Sequence, residues 1–149
     1  MKVLATNKKA KFNYFLEDDY ICGIVLKGTE IKSVRANKIN IADAYCIIRN
    51  EEMYVVNLHI SRYDHGNTFN HDETRSRKLL LHKKEIRKIQ KRVNQEKMTI
   101  VPTKIMMDRG LCKVEIALGK GKKNYDKRQS LKEKDAKRRI QKSMKENYR

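Results

Sequence analysis

The 149-residue chain has little that would divide it. It holds one proline and six glycines, and no Pro/Gly/Ser-rich linker interrupts it, so one buried core is expected rather than two. No apolar run approaches a bilayer-spanning length and no signal-peptide pattern opens the chain, which argues against a membrane partner and for a cytoplasmic protein. Cys22, Cys46 and Cys112 are odd in number, widely spaced and without a C-x-x-C pair. Neither a disulfide framework nor a zinc ribbon is expected, and a reducing compartment follows. His59, His65, His71 and His82 lack metal-ligand spacing, so no metal or other cofactor is expected and surface or hydrogen-bonding roles suit them better.

Negative charge is scarce too. Against 36 Lys+Arg stand 18 Asp+Glu, a net charge of +18 that goes far beyond what solubility requires. A polyanionic partner, RNA or DNA, is the economical explanation.

What is present reads mainly as strands. In residues 20–26, Tyr20, Cys22, Ile24 and Leu26 share one face, with Gly23 on the other where a backbone or a bend could sit. Residues 44–49 and 53–60 flank Asn50-Glu51-Glu52, a spacing suited to a hairpin. Residues 98–107 and 111–118 predict a second hairpin around Asp108-Arg109-Gly110. In it Cys112, Val114, Ile116 and Leu118 alternate with Lys113, Glu115 and Ala117, so Cys112 is expected in the core rather than as a nucleophile. Pro102 cannot donate to a ladder and predicts an edge or a bulge. Between the hairpins, Ile86, Ile89 and Val93 recur at helical spacing over residues 83–96, backed by Lys84, Arg87, Lys88, Lys91 and Arg92. Residues 61–74 are polar and aperiodic, a long exposed loop. The fold expected is mainly β: a small closed antiparallel β-barrel of oligonucleotide-binding type, with about three short helices, over residues 1–118.

Residues 119–149 differ in character. Thirteen bases against four acids put half the total charge there, and the bulkier apolar residues besides Tyr125 are Leu131, Ile140, Met144 and Tyr148. Such a tail is expected to be disordered when free. Ser130 with Glu133 forms a capping box, and Glu133/Lys137 and Asp135/Arg139 are favourable i,i+4 pairs, so a helix is latent in it, to be released when phosphates relieve the repulsion among its bases.

The segment from Gly28 to Tyr45 places a short charged helix between two strand-like runs. From about Thr29, Ile31 and Val34 face inward while Lys32 and Arg35 emerge side by side as a phosphate-binding edge. Glu30 suits a pairing with a basic neighbour that fixes the helix, with direct nucleotide contact the alternative. An Mg²⁺-dependent nuclease site at Glu17-Asp18-Asp19 is the rival enzymatic reading, but consecutive residues of an extended segment diverge to opposite faces, so a solvated cluster is preferred. A ribosomal protein or general RNA chaperone fits the charge as well.

The motifs separate these readings. Asn7-Lys8-Lys9-Ala10, Gly28-x-Glu30-Ile31-Lys32-Ser33-Val34-Arg35, Thr74-Arg75-x-Arg77-Lys78-Leu79-Leu80-Leu81, and Gly119-Lys120-Gly121-Lys122-Lys123 followed by Asp126-Lys127-Arg128 resemble the SsrA-binding protein (small protein B) family over nearly the whole chain. The resemblance implies an oligonucleotide-binding-type barrel that binds the tRNA-like domain of transfer-messenger RNA and accompanies it to stalled 70S ribosomes, catalysing no reaction. It implies a monomer whose body replaces the lower half of a tRNA, and which meets elongation factor Tu only indirectly, through the charged RNA. RNA contact is then expected from Asn7, Lys8, Lys9, Glu30, Lys32, Arg35, Lys38, Arg75, Arg77, Lys78, Lys120, Lys122 and Lys123. The tail would enter the vacant messenger channel as a helix, bringing Tyr125, Asp126, Lys127 and Arg128 to the decoding centre of the small-subunit ribosomal RNA and aligning Lys134, Arg138 and Lys142 toward phosphates. Many members carry His where this chain has Tyr125, whose phenol ring keeps the capacity to stack on a base.

Overall fold

A computed structural model describes residues 1–63 and 70–147. His65 and Tyr148 lie outside the described residues, as do the side chains of Lys142 and Met144. Nine strands and four helices follow one another among the described residues: β1 (Lys2–Thr6), α1 (Lys8–Asn13), β2 (Tyr14–Ile24), α2 (Gly28–Arg35), β3 (Ile39–Asn40), β4 (Tyr45–Arg49), β5 (Glu52–Val56), β6 (His59–Ile60), β7 (Arg77–Leu80), α3 (Lys83–Glu96), β8 (Thr99–Asp108), β9 (Leu111–Gly121) and α4 (Asn124–Asn147). Six strands pair in the order β8, β4, β5, β7, β2, β9, and β9 pairs back onto β8, so the hydrogen-bonded order forms a ring. Strand β1 adds to the outer edge of β8, and β3 pairs with β6 as a separate two-stranded ribbon. All pairings are antiparallel, as expected.

Local chemistry accounts for the turns. Arg49 pairs with Glu52 across Asn50 and Glu51, both at positive φ (52° and 61°), the two-residue geometry that matches strand twist. The β8–β9 hairpin repeats this device with Arg109 and Gly110 (φ 51° and 81°) between Asp108 and Leu111. The expected single strand over 53–60 is broken in two by Asn57, at φ 58°. Pro102 sits at a register shift between β8 and β9, where the other neighbour of β8 changes from β4 at Ile100 to β1 at Lys104. A missing N–H is tolerated there because no ladder needs it.

Helix α3 spans the residues its periodicity predicts. Ile86 and Ile89 are buried and Val93 packs beside them against Met53, Val55, Leu79, Val114, Ile116 and Leu118 from the strands. Strand β9 runs three residues past the expected end of the body, pairing Gly119, Lys120 and Gly121 with Leu16, Phe15 and Tyr14. The close approach depends on Gly119, where a Cβ would lie 3.0 Å from the Tyr14 side chain.

The three short helices expected in the body are α1, α2 and α3, and the tail carries a fourth, the 24-residue α4. That helix begins six residues before the proposed Ser130 cap. Inside it, the Ser130 hydroxyl donates to the Asp126 carbonyl at 3.1 Å instead of capping an N-terminus. Among the described residues no helix is long and apolar enough to cross a membrane.

Ile89 is completely buried, so Ile89→Ala leaves a void beneath α3. The expected loss of unfolding free energy is about 2–5 kcal/mol, read from the urea midpoint; a loss under about 1 kcal/mol would show that α3 is not part of the core.

Candidate nucleic-acid interface

The short helix α2 is held by its one acid. Glu30 is fully buried, and its Oε1 accepts from the Lys27 backbone N–H at 2.8 Å and from Arg75 Nη2 at 2.5 Å, while Arg77 Nε donates to its Oε2. Arg77, also fully buried, spends its remaining donors on main-chain carbonyls: Nη1 on Leu58 (2.6 Å), Nη2 on Asp72 (3.3 Å) and Glu73 (3.2 Å). Two sequence motifs distant in the chain therefore meet at one carboxylate. Burial pushes the Glu30 carboxyl up, but the hydrogen bonds from Arg75, Lys27 and Arg77 and the Arg77 charge outweigh it and hold the group below the usual glutamate range. His71 pins the same end of the helix. Its Nε2 lies 2.8 Å from the Ile60 carbonyl, which can only accept, so in the neutral ring Nδ1 accepts from the Thr29 hydroxyl at 2.8 Å.

With Glu30, Ser33 and Val34 turned inward, Lys32 and Arg35 are left exposed on the outer side of α2. Lys32 Nζ lies 5.2 Å from the Tyr63 ring centroid. Lys38 follows on the surface just past the helix. The departing segment Ile39–Ala42 then borders a cleft shared with Lys8 and Lys9 of α1. Lys8, Lys9 and Lys11 are all exposed, and Lys9 Nζ reaches Asp43 at 3.2 Å between two largely solvated side chains, a contact worth little on its own.

Several residues expected to touch RNA are buried or bonded within the protein. Asn7 is buried as the N-cap of α1: its Oδ1 accepts from the Ala10 N–H at 3.1 Å, and its amide donates to the carbonyls of Pro102 (3.0 Å) and Ile41 (3.4 Å). Glu30 and Arg77 are buried scaffold, and Arg75 is mostly covered by its bond to Glu30. Lys78 is engaged by Glu52 at 3.2 Å. Lys122 turns inward onto Lys11 and Ser130, whereas Lys120 and Lys123 are exposed. Burial was not legible from charge, but spacing held clues. Asn three residues before Ala10 is N-cap spacing, Glu30 stands at the third position of a helix, and Arg75 and Arg77, two apart in an extended segment, point to one side.

At the start of α4, Asp126 Oδ2 accepts from the Lys123 N–H at 3.2 Å. Tyr125 is 66% exposed. Arg128, Lys134 and Arg138 are exposed, and Lys127 is half-buried.

Two of the three residues of the rival nuclease site are held by an arginine. Arg92 of α3 pairs with Glu17 at 3.2 Å, with Asp18 and with Glu96 at 2.8 Å. Among the described residues no group of three His, Cys, Asp or Glu is placed to hold a metal ion. Burial pushes the thiols of Cys22 and Cys112 up to about 12 and about 11, so neither supplies a thiolate nucleophile near neutral pH.

A rigid β body that carries lysines and arginines outward on two short anchored helices, at net charge +18, defines a polyanion-binding protein. Residues 4–146 match the family described as SmpB protein. The chain is 51% identical over 148 residues to the SsrA-binding protein of Shouchella clausii (strain KSM-K16), covering 99% of this chain and 95% of that one. It is 49% identical over 145 residues to the SsrA-binding protein of Bacillus subtilis (strain 168), covering 97% and 93%. A solved structure described as "tmRNA-SmpB: a journey to the center of the bacterial ribosome" superposes with a TM-score of 0.67 at 41% identity, over 80% of this chain and 85% of that one. The chain belongs to the SmpB family of SsrA-binding proteins.

Replacing Glu30 by Gln removes the charge that two guanidinium groups share, one of them wholly buried. Glu30→Gln is expected to lower the unfolding free energy by about 3–5 kcal/mol at pH 7. Because the folded carboxyl lies below its ordinary value of 4.5, its contribution is complete above that pH and is lost as the pH falls through the folded value. Urea unfolding from pH 7 downward checks both parts: the wild type should lose this increment in acid and the variant should not. Equal stability of the two proteins at pH 7 would contradict the assignment.

Proposed function

We propose that the protein binds the tRNA-like domain of transfer-messenger RNA and delivers it to stalled ribosomes in trans-translation. The observation that carries this reading is the pair Lys32 and Arg35, exposed on a helix that a buried carboxylate fixes to the sheet. Folded RNA is recognised by shape and backbone, and preorganised cations meet phosphates without losing side-chain and main-chain freedom at the moment of binding. Lys38, Lys8 and Lys9 extend that surface, and exposed Lys11 on α1 joins it. Lys120 and Lys123 contact RNA from the end of β9. The protein acts by binding, without a reaction of its own. It works in the cytoplasm as a monomer and meets elongation factor Tu only through the charged RNA.

The six-stranded order closed by the β8–β9 pairing, with α3 packed on the core, supports the reading of a small closed barrel of oligonucleotide-binding type. The body then stands in for the lower half of a tRNA and the tail for a messenger. Residues 131–140 of α4 are all exposed, so little packing offsets the nucleation cost and the repulsion of dense cations. This part of the tail is disordered when free and becomes helical in the vacant messenger channel. There Tyr125 stacks on a base and Asp126, Lys127 and Arg128 work near the decoding centre, with Lys134, Arg138 and Lys142 toward phosphates.

Replacing Lys32 and Arg35 together by Ala is expected to weaken binding to the isolated tRNA-like domain. The log–log salt dependence should become shallower by up to about 0.9 per lost phosphate contact on the duplex scale. Titrations at several salt concentrations read both quantities, and unchanged affinity and slope would remove these residues from the interface.

The tail is tested separately by Ala136→Pro, which costs about 3 kcal/mol inside a helix and nothing in a disordered segment. Folding and RNA affinity should be retained while tagging of stalled nascent chains collapses. Full tagging by this variant would show that the tail works as an extended thread.

A further inference from the structure

Only two residues, Lys122 and Lys123, separate β9 from α4, and the first behaves unlike the lysines around it. Its backbone N–H donates to the Asn13 carbonyl at 2.9 Å, one step beyond the Tyr14/Gly121 pair that ends the β2–β9 ladder. Its side chain turns back over the exposed face of Phe15, with Nζ 5.1 Å from the ring centroid. The ammonium then donates to the Lys11 carbonyl at 3.2 Å and to Ser130 Oγ at 2.9 Å. Ser130 Oγ gives its own proton to the Asp126 carbonyl at 3.1 Å, so the lone pairs of the hydroxyl are left to face the ammonium. Lys11 lies in the last turn of α1, where a carbonyl has no partner within the helix and needs an outside donor. One cation thus satisfies the end of the first helix and grips the second turn of the fourth.

We infer that Lys122 is a positioning residue, which fixes the direction in which the tail helix leaves the RNA-binding body. This rests on the reading of α4 as the ribosome-facing segment. Lys123 holds the first turn of α4, its N–H on Asp126 and its carbonyl accepting from the Lys127 N–H, and Lys122 reaches further along the helix to Ser130, past which it is exposed through residue 140. An amide link of two residues fixes where α4 starts but leaves its main-chain torsions to choose where it points. The Lys122 ammonium removes that choice by bonding simultaneously to α1 and to a residue one and a half turns into α4. Two of the three ammonium protons are committed to these partners, whereas the side chains of Lys120 and Lys123 beside it are exposed. The body holds the RNA through α1 and α2, so the angle set at this seam decides whether the tail reaches the messenger channel once that RNA is seated.

The test uses the full-length protein with Lys122→Met, which keeps the stem of the side chain and removes its charge, and Lys122→Arg, which can still donate to both partners. Residual dipolar couplings of the free protein in an aligning medium report the orientation of the Asp126–Ser130 amides relative to the body, and the body's own couplings verify that each variant is folded. In the wild type and Lys122→Arg these amides should align with the body; in Lys122→Met their couplings should shrink at least twofold. Affinity for the isolated tRNA-like domain should stay within twofold with an unchanged salt slope, and tagging of stalled chains should fall several-fold in the Met variant and recover in the Arg variant. Unchanged couplings in Lys122→Met would overturn the inference. So would retained couplings with a salt slope shallower by about 0.9, the signature of a lost phosphate contact. The couplings are read without RNA, so a wild type that failed to bind transfer-messenger RNA would overturn the functional reading and leave the latch to be decided by orientation alone.

Discussion

A carboxylate buried in a protein of net charge +18 is the constraint from which the rest follows. Glu30 is shut off from bulk solvent, and its two oxygens are satisfied by groups the chain brings to it: one main-chain N–H and two guanidinium groups. Bringing them fixes α2 against β7, and the spare donors of Arg77 draw in the carbonyls of Leu58, before the polar loop, and of Asp72 and Glu73, at its end. Break the carboxylate and a buried cation is left with carbonyls alone. A buried ion pair is weak evidence for net stability, since apolar residues of the same volume often do as well. Its directional bonds nevertheless set the rotation of α2, and that rotation decides which side chains face outward.

The same logic recurs at lower cost along the surface. Asn7 makes α1 start where it does and ties that helix to β8 at Pro102, beside the register shift between β8 and β9. Lys122 carries the connection from α1 into α4. In each place one polar side chain bridges two elements with directional bonds, which helps a body with one small core hold three charged helices in defined directions. Cations of the outer faces are thereby held in a fixed orientation.

Much of the fold is legible in the amino-acid order, and the exceptions have physical causes. Helix α3 and the two hairpins could be read because apolar periodicity over ten or more residues outweighs local noise. Strand β1 and helix α1 are too short to show a period. Strand β7 was hidden because an arginine, Arg77, occupies its inward position, so the expected apolar alternation fails at the residue that matters most. The candidate site was legible in its motifs and less so in its burial. Glu30 was read as fixing its helix through a basic neighbour, and Arg75 and Arg77 are those neighbours. Charge alone gave no sign that Asn7 and Arg77 are buried, since a charged residue does not announce a partner forty-odd positions away. Lys32 and Arg35 were read as outward cations because their helical spacing from Val34 places them there. The start of α4 was misplaced by six residues because a Ser three before a Glu is also what the interior of a charged helix can contain.

The central claim is that Glu30 serves RNA binding through the orientation of α2 and not by touching RNA. A double-mutant cycle on affinity for the isolated tRNA-like domain tests it most directly, combining Glu30→Gln with Lys32→Ala at a temperature where all four proteins are folded. If Glu30 acts by aiming Lys32, removing that lysine makes part of the Glu30 effect disappear. The account then predicts a coupling of about 0.5–3 kcal/mol. Effects that add to within about 0.3–0.5 kcal/mol would contradict it, because independent losses are what a direct contact by each residue would produce.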